Sequence, residues 1–286
     1  MLSMNSQFPT TQILLNSTNY NKATNSFIYN FNSDQPLKNH VIAMQSAVIY
    51  NQFYNISSAL GNNTITVVYF PSGASAYVSK IIMIPDGFYD SPTTFSSWLQ
   101  LTMLNEKYCT TPTSSTTKYF IELGNTTAQY AFYLKLYSVQ PSDTPPSGAS
   151  WSRVSSGRTP KIQFGKCGSV WGFDPNTIYG EGLTATTTTN SPLCPQIRDS
   201  TTIIMTCNLC NNGGLSFPTD FLYSLRIGNE FGSAIVSNAI EPTYNIIQPA
   251  LYRQIVIRLY DQNMKPLSII DPNIMFLLLL KQNTTK

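Results

Sequence analysis

Between residues 77 and 104 the hydrophobic pattern changes period, from two to nearly four. Val78, Lys80, Ile82 and Ile84 alternate with Tyr77, Ser79, Ile81 and Met83, so apolar groups fall on both faces and a buried strand is predicted. Pro85-Asp86-Gly87 ends that strand, because Pro lacks a donor and Asp-Gly suits a turn. Gly87 is expected at positive φ, where a β-branched residue is poorly tolerated, so Gly87→Val is expected to prevent folding. Tyr89 completes the turn. Ser91-Pro92 then reads as an N-cap followed by Pro at the first helical position. Phe95, Trp98 and Leu99, continuing toward 101–104, give the helix an apolar stripe.

Elsewhere the period is two or absent. Strands are predicted at 41–50 and 64–69, separated by the turn signal Gly61-Asn62-Asn63. Further strands are predicted at 118–123, 130–139, 161–164 and 203–209, the last followed by a turn over 211–214. Residues 221–227 fit a strand or a short helix. Strands at 254–260 and 274–280 close the chain, joined by a loop that Asp261, Asp271 and Pro272 are expected to fix. The Ser/Thr/Pro-rich stretches at 109–117, 140–157 and 184–190 read as loops. Residues 1–40, rich in Asn, Ser, Thr and Gln, read as an extended N-terminal arm that orders against a partner. There is no repeat and no βαβ alternation. Eight to ten short strands with long connections imply an all-β chain: a single jelly roll, an eight-stranded double-sheet sandwich, over 41–286, with a small insertion near 109–160.

Composition sharpens this. Of 286 residues 42% are apolar, enough for a real core, but only 11% are charged, against roughly 25% in ordinary soluble domains. Charge keeps free monomers apart, so such a surface suits a protein covered by neighbours; A+T-rich coding bias toward Asn, Ile and Tyr is a compatible explanation. A net charge of +3 without Lys or Arg runs gives no reason to expect nucleic acid. No apolar run approaches the ~18 residues of a membrane span. The first residues carry neither the basic start nor the apolar core of a secretory signal, so a reducing compartment is expected.

Catalytic parts are scarce. His40 is the sole histidine and lies in no motif. Glu106, Glu122, Glu181, Glu230 and Glu241 are isolated from one another, and Asp86, Asp174, Asp261 and Asp271 stand in turn contexts that favour Asx-turns over catalysis. No phosphate loop, dinucleotide fingerprint or His-x-x-x-His pair occurs. Cys207-x-x-Cys210 is half a zinc motif whose other half is missing, so its thiols, like Cys109, Cys167 and Cys194, read as structural, and no cofactor is expected. The 17 Tyr and 15 Phe lack interleaved cations and read as core and interface.

Three places in the chain together resemble one family. The stretch 62–69 followed by Ile84-Pro85-Asp86-Gly87-Phe88-Tyr89 and its helix is similar to the strand, turn and helix of minor capsid proteins from virophages and polinton-like viruses. Val170-Trp171-Gly172-Phe173 resembles a later element of those proteins, with Trp171 where Leu is usual. Ile257-Arg258-Leu259-Tyr260-Asp261, Pro266-Leu267 and Asp271-Pro272-Asn273-Ile274 resemble their closing strands. The resemblance implies a penton protein. That is a jelly roll whose homopentamer fills the fivefold vertex of an icosahedral capsid, among a double jelly-roll major capsid protein and other minor capsid proteins. It would be assembled in the host cytoplasm and would have no catalytic residue. The rival reading is a carbohydrate- or receptor-binding jelly roll of fibre or lectin type, in which an exposed Trp151 and loop tyrosines stack on sugars.

Overall fold

A computed structural model describes residues 10–71, 76–111, 117–126, 131–152, 156–197, 200–212 and 218–283. Gly213 and Gly214 of the expected 211–214 turn lie outside these residues. So do the first nine of the expected arm, Tyr130 and most of the 109–117 loop.

In chain order the first strands are β1 (Thr11–Leu15), β2 (Tyr20–Asn21), β3 (Ser26–Pro36) and β4 (His40–Tyr50). There follow β5 (Thr64–Tyr69), β6 (Val78–Met83), helix α1 (Pro92–Asn105), β7 (Ile121–Thr126), β8 (Ala131–Leu136), β9 (Lys161–Gln163), the single turn α2 (Gly168–Trp171) and β10 (Thr187–Asn190). The last group is β11 (Thr202–Cys207), β12 (Phe221–Arg226), β13 (Ala234–Asn238), β14 (Asn245–Ile246), β15 (Leu251–Tyr260) and β16 (Met275–Gln282). The chain divides into two compact units, Met1–Phe53 with Ser200–Lys286, and Tyr54–Asp199.

The first unit is a jelly roll made from the two ends of the chain. One sheet runs β1-β16-β4-β13, with β14 also on β4; the other runs β12-β11-β15-β3-β2, and every pairing is antiparallel. Numbering its eight principal strands in chain order (β1, β3, β4, β11, β12, β13, β15, β16), the sheets read 1-8-3-6 and 2-7-4-5, the interleaving of two Greek keys. Period-two alternation sends Ile13 and Leu15, Ile42 and Met44, Ile255, Ile257 and Leu259, and Phe276, Leu278 and Leu280 into one shared core. Phe27 meets Phe276 edge to face there, with centroids 5.1 Å apart.

Two expectations are corrected. From residue 11 onward most of the supposed arm is strand: β1 and β3 are two of the eight jelly-roll strands, and Ile13, Leu15 and Phe27 are core residues. The exposed Thr11 and Gln12 of β1 and the exposed Asn30, Asn32, Ser33 and Asp34 of β3 hid the alternation. The insertion is also much larger than 109–160. It is the whole second unit, placed in sequence between β4 and β11, and it takes in the strand-turn-helix at 77–104.

That second unit has its own core and two small sheets, β6-β5-β9 and β10-β8-β7. Strand β6 is an edge, not the expected two-faced buried strand: Ile82 is buried, whereas Ile81 and Met83 are exposed. β10 forms inside the Thr-rich 184–190 stretch read as loop, consistent with the β preference of threonine. Helix α1 packs on β7 through Phe95, Leu99 and Met103 at i, i+4 and i+8. Ser91 Oγ accepts from the Thr94 amide at 3.3 Å as its N-cap. At its other end Lys107 takes the left-handed conformation (φ 59°) while the Tyr108 amide donates to Met103 O at 2.7 Å.

Candidate functional site

The turn after β6 is held from outside itself. Asp86 carboxylate oxygens accept from the Ser58 amide and the Ser58 hydroxyl, each at 2.7 Å. The Gly87 amide donates to Ile56 O at 2.9 Å and Gly87 O accepts from the Ile56 amide at 3.3 Å, an isolated antiparallel bridge. Tyr89 is buried with its hydroxyl on Pro85 O at 3.0 Å and its ring edge-on to Phe95 at 5.7 Å. Burial, reinforced by the Asp86 charge, pushes the Tyr89 phenol up. Leu99 is fully buried and Trp98 half-buried against Phe95.

Gly87 does not occupy the positive-φ region, and a Cβ there would sit in ordinary contact with the Tyr89 ring at 3.6 Å. The reason given for Gly87→Val preventing folding is therefore overturned. The expected ranking reverses: Asp86→Ala, which strips the charge-assisted bonds to Ser58, costs about 1–2 kcal/mol, while Gly87→Ala costs under about 0.5 kcal/mol. Urea denaturation of both variants checks this, and a larger loss for Gly87→Ala would contradict it.

In the loop between β15 and β16 two aspartates accept bonds from nearby backbone amides. Asp261 is buried, and its Oδ1 accepts from the Asn263 and Lys265 amides, both at 2.8 Å. Asp271 Oδ1 accepts from the Asn273 amide at 2.9 Å, and Pro272 O from the Ile274 amide at 2.7 Å. The sequence reading missed their anchor, Gln52, whose buried side chain donates to Asp271 O at 2.6 Å and accepts from the Asp271 amide. It also missed Asn55, which lies in an Asn-x-Ser sequon but has its amide inside, donating to Tyr89 O and Ile197 O at 2.9 Å and accepting from the Tyr89 amide.

Several of the acidic side chains form ion pairs. Glu106 pairs with Lys80, Glu181 with Lys161 at 2.6 Å, and Asp34 with Arg253 at 2.9 Å. His40 Nδ1 lies 2.7 Å from Lys38 O. Cys207 and Cys210 flank a turn closed by the Cys210 amide on Cys207 O at 2.9 Å, and both are buried. Among the described residues no group of three His, Cys, Asp or Glu gathers as a metal site. Burial pushes the Cys167 thiol up to about 12, and its Sγ donates to Phe164 O at 2.9 Å. Cys194 alone of the five cysteines is exposed. One thiol is accordingly expected to react with a chromogenic disulfide at pH 8 in the native protein, and five after denaturation; two or more fast native thiols would contradict the described burial.

By sequence, no protein family and no curated protein matches the chain. By structure it is similar to the mavirus penton protein, at 13% identity over 96% of this chain and 99% of that one, with a TM-score of 0.42. It is also similar to a chain of the Sputnik virophage structure solved by cryo-electron microscopy, at 13% identity over 96% and 98%, with a TM-score of 0.39.

Loop aromatics do not form a sugar platform at Trp151. That side chain is 2% exposed, donates from Nε1 to Lys107 O at 2.7 Å and packs on Phe120 at 5.2 Å. What the surface offers instead is a difference between the two jelly-roll sheets. The outward face of the β11, β12, β15 and β3 sheet carries Arg226, Arg258, Gln254 and Asn30, whereas that of the β1, β16, β4 and β13 sheet is largely apolar, with Gln12, Ser46, Asn238 and Lys281 among its polar positions. Among the described residues no helix is long and apolar enough to cross a membrane.

Proposed function

We propose that this chain is a structural capsid protein of the virophage penton type, with five copies closing a ring at an icosahedral vertex. The observation that carries the reading is the interleaved jelly-roll strand order, combined with the ordered sequence markers spread over both units. Residues 84–89 and 170–173 lie in the inserted unit, and the closing markers fall on β15 and on the loop that leads from it to β16. A largely apolar outward sheet face and a charged fraction of 11% suit a subunit that spends its life against neighbours. The partners in this reading are further copies of the chain, a double jelly-roll major capsid protein and other minor capsid proteins, with neither nucleic acid nor membrane span involved. Assembly takes place in the host cytoplasm and the product resides in the virion, with no catalytic step. Fold alone does not settle function, so the reading is tested by mass. Light scattering of the purified chain across a concentration series is expected to give a pentamer; a trimer would favour the fibre or receptor-binding alternative.

That alternative has one observation of its own. A shallow polar groove lined by Asn19, Tyr20, Asn21, Lys22, Asn30 and Gln254 opens on the jelly roll. Several of its amides are already engaged: Asn19 Nδ2 donates to Ile28 O at 3.1 Å and Asn21 Oδ1 accepts from Ala23 N at 3.0 Å. Glycan-array binding that is lost in Asn30→Ala/Gln254→Ala would support it.

A further inference from the structure

Strand β16 reads Met-Phe-Leu-Leu-Leu-Leu before Lys281, with no polar residue on either face. Its even positions, Phe276, Leu278 and Leu280, fill the jelly-roll core. Its odd positions, Met275, Leu277 and Leu279, therefore point to the opposite face. The neighbouring strands continue that face. Met275 pairs with Val48 and Val48 with Val236, one apolar row across three strands. Leu14 pairs with Leu277, and Ile246 pairs with Val41. Lys281 is the one charge the pairing places here, and its ammonium sits over the Tyr244 ring at 3.7 Å.

Part of the face is buried, with Val41 at 5%, Ala43 at 0% and Leu279 at 8% exposure, and part of it is open to water. Leu14 is 50% exposed, Val236 59% and Ile246 64%. Ile240, in the connection between β13 and β14 at the same sheet edge, is 99% exposed. With Met275 these side chains leave on the order of 500 Å² of apolar surface to water, near the top of the about 300–600 Å² of the largest patch on a typical monomer. The half-buried Val48 and Leu277 adjoin these side chains, so the open part would supply the apolar portion of a contact that buries ~800 Å² per partner when stable. The opposite sheet of the same sandwich shows that this is not a general property of the surface, since its outward positions include Arg226, Gln254 and Arg258.

We propose that the outward face of the β1-β16-β4-β13 sheet is the surface on which a second copy of this chain docks. The inference rests on the ring reading above and assigns that ring its contact. Area and chemistry favour a permanent partner made with the chain: the exposed apolar patch is large for a monomer, and it is almost without charge to direct a transient, salt-sensitive encounter. In a ring the contact is heterologous, so this face of one copy meets a different surface of the next.

The test compares the native mass of the full chain with that of Val236→Lys/Ile246→Lys and of Asn30→Lys/Gln254→Lys, the second pair lying on the opposite sheet. The wild-type chain and the opposite-sheet variant are expected to share one oligomeric mass. Val236→Lys/Ile246→Lys is expected to run as a monomer whose thermal midpoint stays within about 3 °C of wild type, because exposed positions contribute little to folding. A variant that keeps the wild-type oligomer overturns the inference, as does a wild-type chain that remains monomeric at every concentration. A pentamer that survives the variant leaves the ring reading standing without this face. A dimer or trimer abolished by the variant upholds the face and removes the fivefold reading. Should the lysine variant misfold, hydrogen exchange on the wild type decides: amides of β1, β13 and β14 are expected to slow as concentration rises, and unchanged exchange overturns the inference.

Discussion

Gly172→Ala is expected to destabilise the inserted unit by about 3 kcal/mol, enough to remove much of the stability of an ordinary domain. Gly172 ends the turn α2 in the left-handed region at φ 76°, the conformation that caps helices and that a Cβ disfavours. Strain alone would cost about 1–2 kcal/mol. Here a Cβ would also lie 2.3 Å from Leu193 O and 3.1 Å from its carbonyl carbon, backbone that is itself fixed because the Leu193 amide donates to Gly172 O at 3.0 Å. Moving it would disturb Trp171, which is fully buried with its ring centroid 4.6 Å from that of Phe95 on helix α1, the planes tilted by 30°. Gly182 supplies the control: its φ is 71°, but nothing lies within 4 Å of a Cβ, so Gly182→Ala should lose about 1 kcal/mol from strain. Urea midpoints of the two variants separate the effects. Equal losses would mean that the close approach to residue 193 is wrong.

Phe276→Ala is expected to cost the jelly roll about 3–5 kcal/mol, the range for deleting a fully buried aromatic side chain. Its ring is 0% exposed on the strand between β1 and β4, and its loss leaves Phe27 without its edge-to-face partner. Met275, one residue earlier, points the other way and is 37% exposed. Met275→Ala should therefore leave the monomer's stability within about 0.5 kcal/mol, as at other surface positions, while weakening self-association. Thermal unfolding of both variants under monomeric conditions tests this pair. Comparable losses would contradict the assignment of inward and outward faces on β16.

Much of the fold was legible where alternation was strong. The strands at 41–50, 64–69, 254–260 and 274–280 and the capped helix after Ser91 stand close to where their patterns place them. The sequence was less informative where one face of a strand is solvated. In β3, Phe27 is core but Asn30, Asn32, Ser33 and Asp34 follow, so average polarity masks the pattern and the segment reads as an arm. Domain boundaries were hidden for a different reason. Local period does not reveal which sheet a strand joins, and neither junction, after Phe53 or after Asp199, carries a Gly- or Pro-rich linker. The 84–89 turn was visible, yet its fasteners Ser58 and Ile56 come from a distant segment that no spacing connects to it. The apolar outward face did leave a signal, since the unbroken run at 275–280 departs from the alternation expected of a sheet with one solvated side. Reading that run as a strand was correct; its two-sidedness needed the register with β1 and β4.

The central claim is that this jelly roll assembles as a fivefold ring, and electron-microscopy class averages of the purified chain test it most directly. The account predicts closed rings of five subunits. Averages with threefold symmetry, or single particles that never close at any concentration, would contradict it.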